Sequence, residues 1–474
     1  MMNHLYLRRA GTLSALAVAL LSAGCMSFIP AYERPAAPVA PAYPPELTPA
    51  GAPGVAAAAD IEWQRFFADP RLKRLIELAL QNNRDLRVAV LNIEQARATY
   101  QVRRADQLPT LGAGVSASRE AGTNGGLVNV YAAGLQITGY ELDFFGRVRS
   151  LSQAALAQYL ATEEARKTTQ IALVAGVATT YIGMLADEEL LRVTREALKT
   201  REDSFRLTKL RFDNGASSEI DVRQSEQLLE TAKVTLAQTQ RQRALDENAL
   251  TLLVGQPLPA DLPAALPLAA QQGVTDLPAG LPSDLLTRRP DVLAAEQQLL
   301  AANASIGAAR AAFFPRISLT ANAGSASTEL SGLFKGGTWA LTGSAGLLQP
   351  IFDAGRNQAN LQISKVNKDI AIAQYEKAIQ TAFREVADSL AGRATLGEQL
   401  RAQAAVANAA QVGFNLADLR YRNGVASYFD LLDAQRTLFA AQQATVQVQS
   451  AQAQNLVTLY KVLGGGWTEP ARAN

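Results

Sequence analysis

Two windows of more than a hundred residues, 146–256 and 351–469, contain no proline, although the chain has 20 of them. Proline removes a backbone donor and clashes with the preceding helical turn, so its absence permits helices of unusual length. Both windows are rich in Ala, Gln, Leu, Arg and Glu, which favour the helix. Each is interrupted once by an Asn-Gly pair, Asn214-Gly215 and Asn423-Gly424. Such pairs tolerate positive φ and mark turns. Each window therefore reads as two antiparallel helices joined at a tip, near 212–217 in the first and 421–426 in the second. The first helix of each pair spans about 65 residues, or roughly 100 Å at about 1.5 Å per residue.

The two tips are copies of one segment. "LRFDNGASSEIDVRQSE" begins at Leu210 and "LRYRNGVASYFDLLDAQ" at Leu419, an offset of 209. The same offset relates Gly146 to Gly355 and Gly255 to Gly464. Upstream the offset is 206, relating Asp85 to Asp291 and Pro109 to Pro315. The chain is thus a tandem duplication, with three extra residues in the second copy between the equivalents of Pro109 and Gly146.

Between the helices the period of the pattern changes to two. Leu111, Ala113, Val115 and Ala117 alternate with Gly and Ser, and Tyr131, Ala133, Leu135 and Ile137 with Ala, Gly, Gln and Thr. The second copy repeats this at Ile317, Leu319, Ala321 and Ala323, and at Trp339, Leu341, Gly343 and Ala345. Strands are expected at about 111–118, 128–139, 316–325 and 338–349, each with one apolar face and one small or polar face. About ten residues suffice for a tilted strand to cross a bilayer. Four strands cannot close a barrel, and an open edge is not tolerated in lipid. Three chains supply twelve strands and, by rotational symmetry, a ring of twelve long helices.

The front of the chain indicates destination. Arg8 and Arg9 precede an apolar run over 12–21, then small residues up to Cys25. This reads as a secretory signal over 1–24, too short to span a membrane. Ser22 stands where lipoprotein signals usually carry leucine, with Leu21 one place earlier. A cut directly before cysteine reads as a lipoprotein signal, with a covalent lipid on Cys25 and Met26 favouring the outer membrane. Eight prolines between Pro30 and Pro53 make 25–60 an extended tether.

Composition narrows the chemistry. Cys25 is the only cysteine and His4, inside the signal, the only histidine. Beyond residue 24, Ser-His-Asp and Cys-His catalysis and histidine or cysteine metal sites are therefore excluded. Two of the 45 basic residues lie in the signal, so the remainder balances the 43 acids. That balance argues against a nucleic-acid binder. No phosphate loop or metal loop is found. No enzymatic activity, metal or cofactor is expected apart from the lipid on Cys25.

The lipidated start followed by "FIPAYERP", the duplicated layout, "YELDFFGRVR" at Tyr140, "QPIFDAGR" at Gln349 and "LRYRNGVASYFDLLDAQR" at Leu419 resemble the outer membrane factor family. Its members are TolC-like, and the lipidated start is similar to the OprM/NodT-type branch. The resemblance implies an α+β membrane protein: a homotrimeric twelve-stranded outer-membrane barrel, four strands per chain, continued by a long α-helical periplasmic barrel. It implies the exit duct of a tripartite efflux system, passively conducting drugs or other small solutes. The partners would be a periplasmic adaptor (membrane fusion) protein, an inner-membrane RND-type pump and outer-membrane lipid. A type I protein secretion duct and a lipid-anchored coiled-coil spacer are the alternatives.

The expected organisation is repeat 1 at 61–257, an equatorial linker at 258–290, repeat 2 at 291–466 and a tail at 467–474. The family's equatorial belt would come from about 61–80, 252–289 and 391–410. By position, Asp430 and Asp433 match the family's acidic periplasmic ring, and Tyr421 and Asp221 match its closed-state tip network. The tips Asn214, Gly215, Asn423 and Gly424 would meet the adaptor. Where the family has an arginine two places after the tip glycine, this chain has Ala426, with Arg420 and Arg422 before the turn.

Overall fold

The long helices run without a break in a computed structural model that describes residues 27–47, 57–121, 125–271, 277–278 and 282–467. In chain order the elements are α1 (Trp63–Phe66), α2 (Pro70–Asn82), α3 (Arg84–Ala105), β1 (Leu111–Ala121), β2 (Leu127–Leu142), α4 (Arg147–Asp213) and α5 (Glu219–Val254). They continue with α6 (Leu285–Arg288), α7 (Pro290–Ala311), β3 (Arg316–Ser327), β4 (Trp339–Leu348), α8 (Arg356–Arg422) and α9 (Tyr428–Val462). Helices α4 and α8 are each 67 residues long. Their bounds differ by 209 at both ends, and those of α3 and α7 by 206. The three extra residues of the second copy therefore fall between α7 and α8, where the β3–β4 connection includes a short 3-10 turn at Leu330–Gly332.

One compact unit comprises residues 1–36, 92–163 and 294–377. Its described core is a four-stranded antiparallel sheet in the order β1-β2-β3-β4. The register places like faces together: Leu111 opposite Ile137, Ala113 opposite Leu135, Ala323 opposite Leu341 and Ile317 opposite Leu347. One continuous face is apolar and the other carries Gly, Ser, Thr, Asn and Gln. A one-residue slip would exchange the faces. The register shift between Ile137 and Tyr140 inserts one residue, with Gly139 at φ 64°, and keeps Tyr140 opposite Leu319. On the small face Gly134 lies opposite Gly324, and a methyl group on either would collide with the facing backbone. The apolar face is uncovered: Val115 is 80% exposed and Leu341 73%.

Residues 25–60 read as an extended tether, and residues 28–34 of it are docked. Phe28 stacks on Phe314 with centroids 4.7 Å apart, and Phe314 on Phe145 at 4.9 Å. Asn303 donates to the Pro30 carbonyl at 2.8 Å. Arg34 grips Glu296 through two hydrogen bonds of 2.8 and 2.9 Å, and Tyr32 donates to the same carboxylate at 2.9 Å. The strap is extended, as proline dictates, yet side-chain contacts hold it against α7. Phe314, just before β3, is the centre of this aromatic stack. The signal, Cys25 and residues 468–474 lie outside the described residues.

The other unit comprises residues 37–91, 164–293 and 378–474. Its core is tied to a buried carboxylate. Asp69 is 1% exposed and caps α2, accepting from the backbone N–H of Arg71 at 2.7 Å and of Leu72 at 3.3 Å. It also accepts from the Tyr181 hydroxyl at 3.0 Å, the Gln271 amide at 2.6 Å and the Leu266 N–H at 3.0 Å. A buried carboxylate is stable only when its oxygens are satisfied in this way. Phe66 stacks on Tyr460 at 3.9 Å. Residues 391–410 of the expected belt lie inside α8 without a break.

Candidate functional site

The paired tips are built by the same local chemistry. At the first, the Asn214 side chain donates to the Leu210 carbonyl at 2.7 Å and Gly215 takes φ 75°. The Ala216 N–H returns to the Arg211 carbonyl at 2.7 Å. At the second, Asn423 donates to the Leu419 carbonyl at 2.8 Å, Gly424 takes φ 74°, and the Val425 N–H reaches Arg420 at 3.0 Å. A left-handed glycine with this return bond satisfies the last helical carbonyls.

Each following helix opens with a reciprocal capping box. Ser218 Oγ accepts from the Asp221 N–H at 3.2 Å, and Asp221 Oδ2 accepts from the Ser218 N–H at 3.1 Å. Ser427 and Asp430 repeat this at 3.3 and 3.2 Å. Partial burial opposes ionisation of Asp221, but the hydrogen bonds from Ser218 and Ser217 outweigh it and hold the carboxyl below its usual value. Asp221 and Asp430, singled out as gate residues, are therefore first of all the N3 partners of capping boxes closed by Ser218 and Ser427. Asp433 has no such duty. It is exposed one turn along, and among the described residues no ion pair reaches it.

The two tips meet within one chain around Tyr421. This residue is 4% exposed and packs with Leu228, Tyr428, Leu431 and Leu432. Its hydroxyl lies 3.3 Å from Thr208 Oγ1. Arg211, from the first tip, stands over the Tyr421 ring at 4.4 Å and donates to the Tyr421 and Arg422 carbonyls at 3.2 Å each. Sequence reasoning named Arg420 and Arg422 as replacements for the missing arginine near Ala426 and overlooked Arg211. Its signal was available: Arg211 is the repeat equivalent of Arg420. Arg422 instead pairs with Asp418 at 2.8 Å on its own helix. Phe212, the repeat equivalent of Tyr421, is 41% exposed. The same position is thus filled in one repeat and open in the other.

This architecture agrees with that of known proteins. The family described as "Outer membrane efflux protein" matches residues 75–256 and 281–465, one segment for each repeat. The antibiotic efflux pump outer membrane protein ArpC of Pseudomonas putida is 49% identical over 469 residues, covering 97% of this chain and 96% of that protein. The toluene efflux pump outer membrane protein TtgC, also of Pseudomonas putida, matches to the same extent. The open-state structure of the Neisseria gonorrhoeae MtrE outer membrane channel is 41% identical, with a TM-score of 0.85, covering 93% of this chain and 98% of that one. The chain belongs to the outer membrane efflux protein family, whose members are outer-membrane channels.

Proposed function

We propose that this chain forms the outer-membrane exit duct of a tripartite, RND-type efflux pump, passively conducting drugs or small apolar solutes out of the periplasm. The observation that carries this is the four-stranded sheet. Its apolar face is uncovered and β1 and β4 each present an unpaired edge. Water does not tolerate the apolar face and lipid does not tolerate the open edges, so an isolated sheet is stable in neither. Three copies remove the edges by forming a twelve-stranded barrel, and their helix pairs form the periplasmic tunnel. The exposed Phe212 then meets a neighbouring chain as Tyr421 meets its own. The relatives are outer membrane proteins of antibiotic and toluene efflux pumps, which supports the substrate class and a pump as partner; a periplasmic adaptor and an inner-membrane pump complete the proposed assembly. The duct performs no catalysis.

In this reading the tips close the periplasmic end, with Asp433 and the outer oxygen of Asp430 facing the pore and Asn214, Gly215, Asn423 and Gly424 meeting the adaptor. Arg211 on Tyr421 holds the two hairpins of a chain together. The cation–ring contact contributes about 0.5–2 kcal/mol. In planar bilayers the purified channel should conduct little at rest, and Arg211→Ala should raise that conductance several-fold. Wild-type protein that forms no channel at all would overturn the reading.

Acylation of Cys25 belongs to the same proposal. Phe28 is stacked beside the foot of β3, and three residues reach no farther than about 11 Å, so a lipid on Cys25 would start near the strand ends. Labelling with a radioactive fatty acid should mark the wild type. Label persisting on Cys25→Ser would remove the assignment.

A further inference from the structure

Arg201, on α4, is 4% exposed, and its burial is completed within one chain by α5 and α9. Its guanidinium donates to the Leu228 carbonyl at 3.2 Å and lies 4.7 Å from the Phe439 ring centre. Among the described residues no carboxylate pairs with it. Burial, helped by the nearby positive charge of Arg436, pushes its pKa down to about 10, so it remains charged at neutral pH. A buried cation is ordinarily balanced by an anion.

A cavity of about 130 Å³ opens beside it, lined among others by Thr200, Arg201, Gln411, Phe414 and Gln435. That exceeds the roughly 10–15 Å³ that one water-sized occupant requires. Glu196 also borders the cavity, but it is exposed and paired with Arg192 at 2.7 Å. Gln435 is 6% exposed, and its Oε1 has no hydrogen-bond partner. Rotation of the amide offers its N–H groups at the same point.

We propose that this cavity is a binding site for a small inorganic anion of halide size, held by the Arg201 guanidinium and the Gln435 amide. The cavity has room for a small hydrated anion beside the guanidinium. The repeat provides an internal contrast. At the offset of 209, Arg201 corresponds to Ala410, Gln435 to Glu226 and Phe439 to Glu230. The equivalent place has lost the cation and gained two acids, so each chain carries the site once. An occupant cancels an unpaired charge where α4 packs on α9, and a ligand bound only by the folded state stabilises it by mass action.

Bromide is the probe. In crystals of the full-length protein soaked in sodium bromide, an anomalous peak is expected in contact with Arg201 and Gln435. Arg201→Lys should retain it and Arg201→Gln should lose it. In detergent solution at constant ionic strength, replacing chloride by gluconate should lower the melting temperature of the wild type and leave that of Arg201→Gln unchanged. Absence of the wild-type bromide peak overturns the proposal, even if Arg201→Gln fails to assemble. An equal chloride response in wild type and Arg201→Gln does the same.

Discussion

Asp187 sits on α4 with 8% of its surface exposed, facing Asp246 of α5. Burial, and then the charge of Asp246, push its carboxyl up to about 6. An unfolded aspartate titrates near about 3.9. A folded-state value above the unfolded one means that the folded chain holds the proton more tightly. The resulting stabilisation is complete below about pH 4 and is lost as pH rises through about 6. Asp187→Asn should therefore melt above the wild type at pH 8, and the gap should close towards pH 4. A gap independent of pH would show that Asp187 does not titrate in this way. Neither this pair nor the five-donor site around Asp69 was legible in the sequence. Single acids amid helical composition read as solvated surface, and only packing brings Asp187 to Asp246 or Tyr181 to Asp69. The aromatic at the second tip was legible as important, but not its burial, because Tyr421 and Phe212 are equivalent in sequence and differ only in what packs on them.

At the level of elements, the capping boxes separate two roles that the repeat superimposes. Asp221 and Asp430 recur because both helices need a cap, whereas the place of Asp433 is taken by Gln224 in the first copy. Asp430 is the third residue of its helix, so losing its arm of the capping box keeps the Ser427 cap but loosens the first turn. Block of the resting channel by divalent or trivalent cations added from the periplasmic side tests this. Asp433→Asn should weaken the block and leave the resting conductance unchanged. Asp430→Asn should weaken the block and also raise the conductance. Both effects on block should shrink at high salt, since screening limits their reach to about 10 Å at 0.1 M. If the two substitutions together leave the block intact, the acids do not face the pore. The helix pairs themselves could be read from missing proline and Asn-Gly, and the strands from alternation, because both signals are local. Three of the four strands run beyond their expected ends, whereas β4 stops one residue short at each. Strand β2 reaches Leu142 through a one-residue bulge that alternation cannot anticipate. Docking of the strap was illegible for a related reason. Arg34 and Glu296 are 262 residues apart, and a proline-rich stretch has the same composition whether free or held.

For the whole molecule, closure of the sheet is the decisive event, and it can be tested directly. Within a chain β1 and β4 are separated by two strands. At about 4.8 Å per step that places them roughly 14 Å apart. A disulfide requires Cα atoms within about 7 Å, so cysteines on β1 and β4 cannot bridge inside a single flat or gently curved sheet. In a twelve-stranded ring, β1 of one chain lies against β4 of the next. With Val115→Cys fixed on the apolar face, cysteines placed in turn at Leu341, Gly343, Ala345 and Leu347 share that face. One of these registers should cross-link efficiently under oxidation, and a denaturing gel should show species of two and three chains and nothing larger. Closure at three is the informative feature: a ladder extending beyond three chains would indicate open edge-to-edge association, and a cross-linked single chain would indicate a sheet that curls on itself. Adding Phe212→Cys, with a partner cysteine scanned along α8 and α9 near the second tip, extends the test to the helical end. The same three-chain limit is expected there, because the position that Tyr421 fills within its own chain is left open at Phe212 for a neighbour.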